Sequence, residues 1–185
     1  MKRKMGLYLG TAIFIALLSA GLAIIAPGTN SGLSVQSDEV VESGSVSVNS
    51  LSPIFSLPDI SGITVRLDEY LGKVVVLNYW ATWCAPCKEE MPILDQYGLE
   101  HPDSVVILGI AVGDSEESVR SYIEEMNISY PILIDKTGVV GSVYHVVGYP
   151  TTYFVDAKGI IRGKYIGLMT PRILQQNLIP LGINQ

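Results

Sequence analysis

Val74-Val75-Val76-Leu77-Asn78-Tyr79-Trp80-Ala81-Thr82-Trp83-Cys84-Ala85-Pro86-Cys87-Lys88-Glu89-Glu90-Met91-Pro92 changes character half-way along. The near-continuous apolar run from Lys73 to Trp80 predicts a central strand covered on both faces. From Cys84 to Leu99, Met91, Leu94, Tyr97 and Leu99 fall at roughly helical spacing, and Pro86 suits a first turn. Pro92, deeper in that helix, predicts a kink. A strand that delivers a C-x-x-C pair to a helix start sets Cys84 beside unpaired N–H groups and a partial positive charge, which favour a thiolate.

Both cysteines of the chain lie in this pair. A bond between them closes so short a loop that it removes little entropy from the unfolded state, which makes it a poor staple. A zinc site would need a second Cys or His pair, and His101 and His145 form none. Reversible disulfide chemistry is the reading that uses both residues, with Cys84 and Cys87 as a redox-active disulfide and neither metal nor organic cofactor required.

The start of the chain bears on location. Gly6 to Ala26 carries no charge, and at about 1.5 Å per residue such a helix crosses a hydrocarbon core of about 30 Å. Lys2, Arg3 and Lys4 precede it and the next charge is Asp38, which puts the N-terminus in the cytoplasm and everything after Ala26 outside. A cleaved secretory signal is the alternative, though the apolar run exceeds the usual signal core of about 7 to 15 residues. Residues 27–50, rich in Gly, Ser, Asn and Val, read as a flexible linker, and residues 51–185 as one domain. The net charge of -6 disfavours nucleic acid as a partner.

Along that domain, Phe55–Leu57 and Ile63–Leu67 predict a hairpin about Asp59-Ile60-Ser61-Gly62, with Asp68 capping a helical turn. Val105–Val112 is a second buried strand. Asp114-Ser115-Glu116-Glu117 then opens a helix running to about Asn127. Ile132–Ile134 is a short strand and Val139–Val146 a short helix. Thr151–Val155 and Ile160–Ile166 pair about Asp156-Ala157-Lys158-Gly159, and Thr170 caps a last helix. Alternating strands and helices closed by a hairpin make an α/β sandwich with a mixed central sheet flanked by helices.

Three stretches together resemble the thioredoxin superfamily, and within it the membrane-anchored extracytoplasmic oxidoreductases of the TlpA, ResA and CcmG type. They are Phe55-Ser56-Leu57-Pro58-Asp59, the run from Asn78 to Pro92, and Val147-Gly148-Tyr149-Pro150-Thr151-Thr152. The resemblance covers about residues 51–181. It implies a thioredoxin-like fold with an N-terminal hairpin, preceded by one transmembrane helix, and makes Asp114–Tyr144 the insertion of this subfamily. It implies a cis Tyr149–Pro150 bond against the disulfide, with Tyr149 and Trp83 contacting substrate. Asn78 stands where cytoplasmic thioredoxins hold a buried Asp and cannot titrate, whereas Glu90 matches an acid that serves Cys87. Lys88 reads as solvated.

The implied activity is reduction of protein disulfides, Cys84 attacking and Cys87 resolving. Substrates include apocytochrome c, copper-site proteins of oxidases or exported proteins in general, and the electron source is a transmembrane thiol donor of the CcdA or DsbD type. Two other classes stay open. A peroxiredoxin-like peroxidase shares the F-S-L-P-D opening, but Cys84 lacks the P-x-x-x-T-x-x-C setting. A Sco-like copper carrier would need a wider cysteine pair and a histidine, for which His145 is the candidate.

Overall fold

Val74 to Trp80 forms a strand, β4, whose seven residues are all buried. In the computed structural model, which describes residues 40–41 and 46–184, β4 is the middle of a five-stranded sheet ordered β6-β5-β4-β7-β8. The partners are β5 (Val105–Val112), β6 (Ile132–Asp135), β7 (Thr151–Val155) and β8 (Ile161–Ile166). β4, β5 and β6 run parallel, while β7 is antiparallel to β4 and β8 to β7. The sheet is therefore mixed. Burial on both sides explains why β4 reads as continuous apolar sequence rather than as an alternation.

Alternate residues of β4 serve two cores. Val74, Val76 and Trp80 meet Met91 and Leu94 of α1 (Ala85–Glu100), Val119 and Ile123 of α2 (Glu116–Met126), and Leu174 and Leu178 of α4 (Pro171–Leu178). Val75, Leu77 and Tyr79 face the other way, toward Val140 of α3 (Val139–Val143) and a small sheet of β1 (Val40–Val41), β2 (Phe55–Pro58) and β3 (Thr64–Arg66). Tyr144 anchors that second core. Its ring stacks edge-on against Phe55 and Tyr153, and its hydroxyl, 2.6 Å from Ser52 Oγ, donates to the Pro53 carbonyl at 2.6 Å.

Several expectations change here. The domain reaches back beyond Leu51, because Val40 and Val41 pair with Ser56 and Phe55, and Asn49 and Ser50 bond to Ile161 of β8. Asp68 does not cap the turn at Leu67–Tyr70. Arg66 holds the cap position without a side-chain cap bond, and the Asp68 carboxylate instead receives the Arg66 guanidinium at 2.9 and 3.0 Å, which lowers its pKa. Helix α3 stops at Val143, three residues early, because Tyr144 turns into the core and His145 takes a positive φ of 50°. Of the anticipated cap on α2, Ser115 does the capping, accepting from the Ser118 N–H at 3.2 Å. Thr170 caps α4 as expected, and α1 continues through Pro92 as one element. The apolar run Gly6–Ala26 lies outside the described residues; among the described residues no helix is long and apolar enough to cross a membrane.

Candidate active site

The chain leaves β4 at Trp80, and α1 begins at Ala85, so four residues make the junction. Cys84 is the N-cap of α1, and its Sγ accepts the Cys87 N–H at 3.3 Å. That N–H, in the first turn where the regular helix bond is missing, also donates to the Cys84 carbonyl at 3.1 Å. Pro86 sits in the first turn, where its missing N–H costs nothing. Cys84 and Cys87 form a disulfide with their Cα atoms 5.4 Å apart. Cys84 is 5% exposed and Cys87 fully buried, so an incoming sulfur can approach only along the Cys84 edge.

Around that edge the expected residues gather. Trp83 is 73% exposed and leans on Tyr149, ring centroids 5.5 Å apart and nearly perpendicular. The Tyr149–Pro150 peptide is cis. The carbonyl of Pro150 receives the Gly167 N–H at 2.9 Å, and Thr151 Oγ1 donates to the Gly148 carbonyl at 2.7 Å, which fixes this loop on both sides. Lys88 is not merely solvated: its Nζ lies 3.0 Å from Glu125 of α2 and 5.7 Å from the Tyr122 ring centroid. Both partners of that pair are well exposed, so it adds little stability.

One helical turn after Cys87 on α1 lies Glu90, fully buried although its place on the helix allowed a solvated face. Its Oε1 accepts from Asn78 Nδ2 at 2.6 Å and its Oε2 from the Met169 N–H at 2.6 Å. Burial raises the carboxyl from 4.5 to about 7, and the two donors pull against that shift without cancelling it. Asn78 Nδ2 also lies 3.2 Å from Thr152 Oγ1, in the strand that follows the cis-proline. Sequence reading had Asn78 only as a residue unable to titrate, and missed Met169 and Thr152. Asn78 could have been found from strand alternation, since it shares a face with Val76 and Trp80 and so must point at α1; a backbone donor such as Met169 leaves no signal. Among the described residues no group of three or more His, Cys, Asp and Glu side chains is arranged to hold a metal ion.

A thiol pair at a helix start, a cis-proline loop beside it and a buried acid one turn on can exchange disulfides. The sequence model of the AhpC/TSA family matches residues 48–164. The chain belongs to the AhpC/TSA family. Within it, the chain is 39% identical to the thioredoxin-like protein YneN of Bacillus subtilis (strain 168) over 130 residues, 69% of this chain and 76% of that one. It is 34% identical to the thiol-disulfide oxidoreductase ResA of Geobacillus kaustophilus (strain HTA426) over 179 residues, 96% of this chain and 97% of the relative. A crystal structure of the exposed lipoprotein thioredoxin of Streptococcus pneumoniae strain TIGR4 superposes with a TM-score of 0.65 at 30% identity, covering 69% of this chain and 99% of that one. This AhpC/TSA member is a thioredoxin-like thiol-disulfide oxidoreductase built around Cys84 and Cys87.

Proposed function

We propose that the protein reduces disulfides of other proteins outside the cytoplasm, with Cys84 as the attacking thiol. The observation that carries the reading is the Cys84–Cys87 disulfide at the start of α1, open only at Cys84, with the buried carboxyl of Glu90 one helical turn after Cys87. In the reduced protein, Cys84 thiolate attacks one sulfur of a substrate disulfide. The substrate S–S bond breaks, a Cys84–substrate bond forms, and the other substrate sulfur leaves as a thiolate and takes up a proton. Cys87 then attacks Cys84 Sγ, which releases the second substrate sulfur and closes the Cys84–Cys87 bond. Two electrons pass from the protein to the substrate.

Glu90 lies one helical turn after Cys87, and a carboxyl titrating near 7 can accept the Cys87 thiol proton as that sulfur turns nucleophile. Trp83, Tyr149 and Pro150 form the rim on which the substrate chain rests. Gly6–Ala26 anchors the protein with its N-terminus in the cytoplasm, and a membrane thiol donor of the CcdA or DsbD type restores the dithiol. Apocytochrome c, whose cysteines must be reduced before haem attachment, is the first substrate to try.

Equilibration with dithiothreitol and glutathione buffers tests the direction, with Cys84→Ser and Cys87→Ser as controls. A reversible two-electron transition well below about -200 mV supports a reductase, and one near about -120 mV makes the protein an oxidant. In a separate trap, Cys87→Ser should accumulate a mixed disulfide with substrate while Cys84→Ser should not; accumulation on Cys84→Ser instead reverses the assigned roles.

A further inference from the structure

Thr82, two residues before Cys84, is gripped by a carboxylate that the redox cycle above does not use. Asp114 Oδ2 accepts the Thr82 N–H at 2.7 Å, and Asp114 Oδ1 accepts the Thr82 hydroxyl at 2.9 Å. We propose that Asp114 is a positioning residue, whose two-point hold on Thr82 sets the backbone that presents Trp83 and Cys84 to substrate. The inference rests on Cys84 being the attacking thiol.

Sheet register brings the pair together. Trp80 of β4 lies level with Ala111 of β5 in a parallel pair, so both chains leave the sheet side by side. Gly113 then takes a positive φ of 73°, a turn that suits glycine, and its N–H is tied to the Asp135 carbonyl at 3.0 Å. The next residue is Asp114, half-buried and facing the junction. An acid just before a helix commonly serves as its cap, but Ser115 fills that position on α2. The Asp114 carboxylate is therefore left for Thr82.

The junction needs such a hold. β4 has ended, and the turn itself is closed by the Cys84 N–H on the Ala81 carbonyl at 3.0 Å, leaving the Thr82 N–H outside both the ladder and the turn. Hydrogen bonds to an ionised carboxylate are shorter and about twice as strong as neutral ones. Two of them on one residue fix the loop at the point from which Cys84 Sγ reaches the helix start and Trp83 leans on Tyr149. The charge of Asp114 also contributes, after burial and Asp135, to raising the Tyr149 phenol, which places it within electrostatic reach of the substrate rim.

The test is the pH profile of Cys84 alkylation by iodoacetamide in the reduced full chain, read by mass spectrometry for the wild type, Asp114→Ala, Thr82→Val and the double variant. A loosened junction moves Cys84 off the helix start, so both single variants should shift the profile to higher pH. Asp114→Ala should lose on the order of tenfold in rate at neutral pH and Thr82→Val less. The double variant should match Asp114→Ala, since the two residues act through one contact. Were Asp114 only a nearby charge, Asp114→Ala would shift the profile to lower pH and Thr82→Val would leave it in place; either result overturns the proposal, as do effects that multiply in the double variant. Asp114→Asn, which keeps one acceptor oxygen, should fall between the wild type and Asp114→Ala, and thermal melts should show that rate losses do not follow loss of fold. Alkylation requires no disulfide substrate, so a wild type that alkylates normally yet fails to reduce insulin overturns the reductase reading alone.

Discussion

At Glu90, a dry setting and two donors compete over one proton, and the setting wins. With its pKa raised from 4.5 to about 7, the folded chain holds the proton more tightly than the unfolded chain does. Between those values the folded state binds more protons, so stability falls as pH rises through the window and levels off above about 7, a change on the order of 3 kcal/mol. Urea titrations of the oxidised protein from pH 4 to 8 should show this loss in the wild type relative to Glu90→Gln, which cannot titrate; equal slopes would place the proton elsewhere. Asn78→Ala should leave Oε1 without its 2.6 Å donor. The window should then extend to higher pH, and the protein should lose about 1–3 kcal/mol by the same titration at pH 8, where Glu90 of the wild type is ionised. A variant as stable as the wild type there would show that the amide does not support the charge.

At the level of elements, β5 is packed closest where it lacks a side chain. A Cβ on Gly109 would lie 2.6 Å from Ile132 Cδ1, 2.9 Å from Tyr130 Cε2 and 3.2 Å from Trp80 Nε1. The Ile132 methyl can move aside, but the two rings are held in the core on that face of the sheet. Gly109→Ala should therefore cost about 1–3 kcal/mol in chemical denaturation, with the disulfide intact. What the sequence made legible at this scale was whatever a few neighbouring residues decide. The run Val74–Trp80 announces a covered strand, and Ser115 and Thr170 announce helix starts. Less legible was the end of α3, because Tyr144 leaves the helix to reach the Pro53 carbonyl, a contact made 91 residues away. Asp68 misled for the opposite reason: a stronger partner, Arg66, stood two residues before it.

Over the whole molecule the same division holds. The C-x-x-C pair could be read from a contiguous motif and the cis-proline followed from the family resemblance, whereas the state of Glu90 depends on Asn78 in β4 and on Met169, 79 residues along the chain. The site is thus assembled from four parts of the sheet and its helices, and only the disulfide comes from one. What remains is how electrons reach it. If Gly6–Ala26 tethers the domain to a membrane that also holds the thiol donor, re-reduction becomes an encounter at high effective concentration, worth about 10² or more over a free domain. In vesicles carrying such a donor, the full chain should be re-reduced that much faster than a chain starting at residue 36, which keeps β1, added at the same total concentration. Alkaline carbonate should leave the full chain in the membrane pellet and release the shortened one. Equal re-reduction rates, with the full chain washed into the supernatant, would remove the tether and require a donor that diffuses to the disulfide.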